Sequence, residues 1–154
     1  MTQEKLKQFL DACFDAKRLI EKLPDLPDGM KPRQVHVLDA VNEIQKKQGF
    51  CRVSDISSYM NTTLPSITKL VQELEERNLL VKQADEKDKR VINLTLTEEG
   101  KEFVELRVTH FHGEWASRLP DLDDAVVDEF VHAITRMQET RPGIKGVKNN
   151  GKRK

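Results

Sequence analysis

Cysteine occurs twice in 154 residues, tryptophan once and tyrosine once, and each shortage removes a class of protein. Cys13 and Cys51 stand far apart, with no second ligand at metal or redox spacing beside either. That usage argues against a disulfide scaffold and for a reducing compartment. No apolar run approaches the ~18 residues of a membrane-spanning helix, so no membrane partner is expected. Met1-Thr2-Gln3-Glu4-Lys5 leads into no apolar h-region, so no secretory signal is expected and the cytoplasm is the expected location. G-x-S-x-G, H-E-x-x-H, a glycine-rich phosphate loop and a Cys/His dyad are all missing. The chain is therefore read as a non-enzyme, with no cofactor and no metal site.

Charge is what the chain has in quantity. Charged residues make up 34% of it and hydrophobic ones 37%, enough for one modest core. Basic and acidic side chains balance at 26 each, but six of the basic ones (Arg141, Lys145, Lys148, Lys152, Arg153 and Lys154) fall in residues 141–154, where there is no acid. The rest of the chain is acidic on balance and ends in a basic tail expected to be flexible.

Pro24, Pro27, Pro32 and Pro120 mark joints between segments. Leu6, Phe9, Leu10, Cys13, Phe14, Ile20 and Leu23 form one apolar stripe, predicting a helix over about 2–23. Val35, Leu38, Val41 and Ile44 repeat the pattern in a second helix that ends near Gly49. Cys51-Arg52-Val53 reads as a minimal strand, with Ser54 capping a short helix through Tyr59. Asn61 suits a left-handed turn. Thr63 is a good N-cap for the next helix, and Pro65 sits where its missing N–H costs nothing. That helix carries Ile67, Leu70, Val71 and Leu74 on one face and stops at Asn78.

Residues 79–84 and 91–96 alternate as two strands around the charged stretch Asp85-Glu86-Lys87-Asp88-Lys89-Arg90, which predicts a hairpin with a polar tip. Thr97 caps a long helix whose apolar content is Phe103, Leu106, Val108, Phe111 and Trp115. A final helix follows Leu119-Pro120-Asp121, with Val127, Phe130, Val131, Ile134 and Met137 on one side.

This order predicts a mainly α fold with a small β-hairpin wing: a winged helix-turn-helix. Its second helix would enter a DNA major groove and its hairpin tip would reach an adjacent backbone or minor groove. Thr62, Thr63, Ser66, Thr68, Lys69 and Gln72 set hydroxyls, a cation and an amide opposite the apolar face, residue types that contact phosphates and base edges. Residues 61–96 carry six bases and six acids, so a DNA face must come from placement, with Glu73, Glu75, Glu76 and Asp85 directed elsewhere.

At these residues the chain resembles the MarR family of bacterial transcription regulators. The likeness runs from Val53-Ser54-Asp55-Ile56 through residues 64–77 to Asp88-Lys89-Arg90, followed by Leu96-Thr97-Glu98-Glu99-Gly100. With the flanking helices it covers about 5–140. The resemblance implies that Arg90 is the wing arginine of the minor groove and that Asp88 pairs with it and fixes its direction, with Lys87 and Lys89 beside them. It puts Thr63, Pro65, Ser66, Thr68 and Lys69 on recognition-helix positions. Two departures are visible: Leu64 stands where a polar residue is common, which suits an apolar base contact, and Asn78 replaces a glycine.

The resemblance further implies a homodimer on double-stranded DNA, with 1–34 and 97–140 as dimerisation helices around a DNA-binding domain at 35–96. It implies a small-molecule effector in a pocket for which Phe14, Val37, Phe111 and Trp115 are the expected walls, and a repressor released by that effector. Two other readings compete: a protein-interaction module without DNA binding, and a thiol- or metal-responsive member of the same family. Cys13, on the first stripe, is expected to be a buried structural thiol. A peroxide-sensing branch uses a first-helix cysteine but also expects tyrosine partners, and Tyr59 is the one tyrosine here. His36 matches a zinc-branch position, but Arg107 and Phe111 occupy the places of its histidine pair, and His110 and His112 lie on different faces of their helix.

Overall fold

The computed structural model describes residues 1–21, 26–27, 29–85 and 88–143. The expectations for Leu23, Pro24, Lys87 and most of the basic tail lie outside the described residues. Among those described, α1 (Gln3–Glu21), α2 (Pro32–Gln48), α3 (Val53–Tyr59) and α4 (Leu64–Glu76) are followed by β1 (Leu80–Ala84) and β2 (Ile92–Leu96). Then come α5 (Glu98–Val104), a π-helical stretch (Glu105–His110), α6 (Phe111–Ser117) and α7 (Asp124–Thr140). The chain divides into two units, 1–112 and 113–154. No described helix is long and apolar enough to cross a membrane.

In the first unit α2 is the central element. Val37, Leu38 and Val41 are fully buried, and they meet Ile56 of α3, Ile67, Val71 and Leu74 of α4, and Leu94 of β2 in one cluster. Side chains of this size each contribute about 1.5–3 kcal/mol when removed from water. Val104 and Val108 belong to the same cluster, so the core extends past 96 into a segment expected to serve dimerisation alone. Leu106, expected as apolar content of the long helix, is 59% exposed. Leu106 stands two positions from both Val104 and Val108, which turns it away from the core that those two enter.

Two local expectations change. Residues 51–53 form no strand, because α3 begins at Val53 with Arg52 as its N-cap. The Asp55 carboxylate accepts the Arg52 N–H at 2.8 Å, committing this stretch to a helix start and leaving Ser54 inside the helix rather than capping it. What remains of the third strand is one bond, from Leu94 N–H to the Cys51 carbonyl at 2.7 Å. Asn61 (φ 49°) and Asn78 (φ 58°) both take the left-handed conformation expected of them.

The hairpin pairs antiparallel, with Leu80 opposite Leu96 and Ala84 opposite Ile92. Its base is tied to the end of α4. Leu79 N–H donates to Leu74 O at 3.0 Å, and Thr97 N–H to Leu79 O at 3.2 Å. The Thr97 hydroxyl donates to Asn78 O at 2.7 Å and accepts from Gly100 N–H at 3.0 Å. A Cβ at Gly100 would stand 2.1 Å from the Leu79 carbonyl oxygen.

α1 and α7 contain no buried residue. On α1, Leu6, Leu10, Phe14 and Ile20 are exposed, and Cys13 is half-exposed instead of buried. In the second unit α7 is capped by Asp123, which accepts from Ala125 N–H at 2.9 Å, and Val126, Val127, Phe130 and Val131 are exposed.

Two glycine substitutions should therefore differ in sign. Gly100→Ala is expected to lower stability by about 1–3 kcal/mol through overpacking. Gly113→Ala, where a Cβ meets nothing within 4 Å, should raise it by about 0.5–1 kcal/mol through helix propensity. Thermal melts of the two variants check this.

Candidate nucleic-acid interface

Helix α4 is set by its inner face. Ile67, Val71 and Leu74 are completely buried, which turns Thr63, Leu64, Pro65, Ser66, Thr68, Lys69 and Gln72 outward, all exposed, with Thr62 half-buried before them. Thr63 occupies the N-cap with extended backbone, and Pro65 lies in the first turn. The Thr63 hydroxyl does not cap a helical N–H; it lies 3.0 Å from the Ser66 hydroxyl.

The hairpin tip is a hydrogen-bonded turn. Asp85 N–H donates to Val91 O at 2.9 Å and Val91 N–H to Asp88 O at 2.8 Å, while Asp88 N–H reaches the Asp85 carboxylate at 3.0 Å. From this frame Asp88 holds Arg90 with both oxygens: Nε donates to Oδ1 at 3.0 Å and Nη2 to Oδ2 at 3.1 Å. The backbone N–H of Arg90 adds a third bond, 3.1 Å to Oδ1. The arginine bonds hold the Asp88 carboxyl below the usual aspartate range, and the carboxylate raises the guanidinium in turn. The Arg90 side chain is 91% exposed, so its direction comes from Asp88 and not from burial. Lys89 is exposed beside it.

The acidic side chains of this region are engaged within the protein. Glu73 accepts from Gln34 Nε2 at 2.9 Å, and Glu75 is bonded to Lys82. Gln72 Nε2 lies 3.5 Å from Glu76. The second Asp85 oxygen accepts from Asn93 Nδ2 at 3.3 Å, leaving Asn93 Oδ1 buried with no hydrogen-bond partner among the described residues.

The expected effector walls differ in exposure. Val37 is sealed in the core, Phe14 is 65% exposed, and Phe111 is half-buried against the His112 ring; Trp115 falls in the second unit. Two cavities of the first unit lie elsewhere. One of about 530 Å³ runs between Lys31, Arg33, Ser66, Lys69 and Glu73, and one of about 590 Å³ between Asn42, Lys46, Glu105 and His110. Sequence reasoning passed over Lys31 and Arg33; the signal was a cation on either side of Pro32. It also passed over Arg52, whose guanidinium lies 4.9 Å from the centre of the Phe50 ring. His36 is exposed.

Comparisons with known proteins converge on this geometry. A profile of the MarR family matches residues 28–91. The HTH-type transcriptional repressor MdtR of Bacillus subtilis is 38% identical over 72 residues, spanning 47% of this chain and 44% of MdtR, so the match covers less than half of that relative's length. Two solved structures cover 90% of this chain and 96% of their own. BpsR of Bordetella bronchiseptica, whose DNA binding is regulated by 6-hydroxynicotinic acid, has a TM-score of 0.66 at 23% identity. Streptococcus pneumoniae FabT in complex with DNA has 0.67 at 19%. At these identities the structural likeness is one of fold.

Two titrations follow. The Asp88 carboxyl, followed by NMR, should stay ionised below the usual aspartate range and return to that range in Arg90→Ala; the pair therefore persists as pH falls and opens only when Asp88 is protonated. Burial, with Asp55 adding to it, pushes the Cys51 thiol up to about 12. Cys51 should accordingly resist iodoacetamide at mildly alkaline pH while folded and react once unfolded in guanidinium.

Proposed function

We propose that this chain, whose residues 28–91 make it a member of the MarR family, is a DNA-binding transcriptional regulator that acts as a homodimer on a pseudopalindromic operator. The observation that carries this reading is the joint display of the outer face of α4 and an arginine at the hairpin tip whose direction is fixed by a forked carboxylate. The engagement of neighbouring acids by Gln34, Lys82 and Asn93 supports it, since it makes room for a polyanion on a chain with no net charge. The uncovered apolar faces of α1 and α7 support assembly with a second copy. In that dimer the recognition helices are separated by roughly one helical turn, about 34–36 Å.

Likeness to the repressor MdtR and to the ligand-regulated BpsR supports repression relieved by a small molecule. Such an effector releases DNA only by binding one arrangement of the dimer better than the other. Phe14, Val37, Phe111 and Trp115 remain the proposed neighbourhood of that effector.

Selection of bound sequences from a random duplex library, using the purified protein, tests the function. Enrichment of a two-fold symmetric site is expected; recovery of no preferred sequence, or sedimentation as a monomer at micromolar concentration, overturns it. On the selected operator Arg90→Ala should weaken binding about tenfold or more with an unchanged melting temperature, and Asp88→Ala should weaken it less. Lys69→Ala should weaken all sequences alike, whereas Ser66→Ala should relax preference at one position. Fluorescence anisotropy on matched and scrambled duplexes separates these outcomes.

A further inference from the structure

The hydroxyls at the head of α4 are largely committed to the protein itself. Thr68 Oγ1 donates to the Leu64 carbonyl at 2.9 Å, and Thr62 Oγ1 to the Met60 carbonyl at 3.2 Å. Thr63 and Ser66 face each other at 3.0 Å, so one of their two protons is spent on the other oxygen. Phosphate oxygens, guanine O6 and N7, and thymine O4 are acceptors. A hydroxyl whose proton is already donated has nothing to give them.

What this end of the helix presents outward instead is apolar. Leu64 is the first residue of α4 and is 51% exposed, with the exposed ring of Pro65 next to it. An exposed leucine by itself is ordinary. This one stands at the N-terminal end of the second helix of a helix-turn-helix, the part that meets base edges, among hydroxyls turned back on the chain. The major-groove edges of the base pairs carry one apolar group, the C5-methyl of thymine.

We propose that Leu64 is a specificity-determining residue, selecting thymine at one position in each half-site by contact with its C5-methyl group. The proposal rests on the reading of α4 as the DNA-recognition helix and adds what that helix recognises. Recognition at this position then follows hydrophobic contact and not a hydrogen bond.

The test replaces thymines of the selected operator one at a time by deoxyuridine, which pairs identically and lacks the methyl. Wild-type affinity is expected to fall about fourfold at one thymine per half-site, the worth of one buried methyl, and about fifteenfold when both are replaced. Leu64→Ala, with its fold checked by circular dichroism, should bind thymine and deoxyuridine operators equally, whereas Lys69→Ala should weaken both operators alike and so keep the ratio between them. Wild-type protein that binds every deoxyuridine operator as tightly as the parent overturns the proposal while DNA binding stands. Discrimination that survives in Leu64→Ala overturns it as well. Failure of the library to yield any preferred sequence removes the premise, and the proposal falls with it.

Discussion

One side chain, Thr97, holds three parts of the first unit in register. Its hydroxyl donates to the carbonyl of Asn78, just past the end of α4, and accepts the N–H of Gly100, in the first turn of the helix that follows the hairpin. Its backbone N–H closes on Leu79, where the hairpin begins. Gly100 has to be a glycine because the Leu79 carbonyl occupies the space that a Cβ would fill. The sequence L-T-x-x-G is thus a packing requirement, and the position of the wing relative to α4 depends on it. A left-handed Asn78 (φ 58°) completes the joint by letting the chain leave α4 at Glu76 and enter β1 at Leu80.

Charge in this protein works by placement. Exposed ion pairs contribute little to stability, and the Asp88–Arg90 pair is an exposed one. Its value is directional: a carboxylate that takes Nε and Nη2 together leaves the remaining guanidinium edge pointing one way. The same logic explains how a chain with equal numbers of acids and bases offers a surface to a polyanion. The acids near α4 are held by Gln34, by Lys82 and by groups of the hairpin, whereas Lys69, Lys89 and Arg90 are exposed.

Where a structural rule is local, the sequence was enough to read it. Thr97 as a cap, Pro65 in a first turn, left-handed Asn61 and Asn78, and the hairpin around 85–90 all follow from residue types within a few positions of one another. The start of α3 was misread at Ser54 because a carboxylate three residues beyond Arg52 outcompetes a hydroxyl as the backbone's partner. The π-helical stretch was invisible, since periodicity assumes a constant angle per residue; Val108 is buried as apolar content should be, whereas Leu106, named with it, is exposed and Val104 enters the core. The commitment of the Thr62 and Thr68 hydroxyls to carbonyls could not be read from composition, although it decides what the face offers. The proposed effector walls were inferred from likeness alone, and the sealing of Val37 shows how little a helical position says about access.

Gln34 is 2% exposed and reaches two ways: its amide nitrogen holds Glu73 at 2.9 Å, and its oxygen takes the Lys31 N–H at 2.8 Å. A neutral amide so enclosed has no water to replace a lost partner, so turning α4 about its own axis would strand a buried polar group at a cost of about 1–3 kcal/mol. Together with the Thr97 joint at Asn78, this clamps the C-terminal part of α4 from Glu73 onward. The outer face of α4, from Leu64 to Lys69, therefore keeps its rotation through contacts made at the far end of the same helix, so a change at Gln34 or Thr97 would be felt at side chains that neither residue touches.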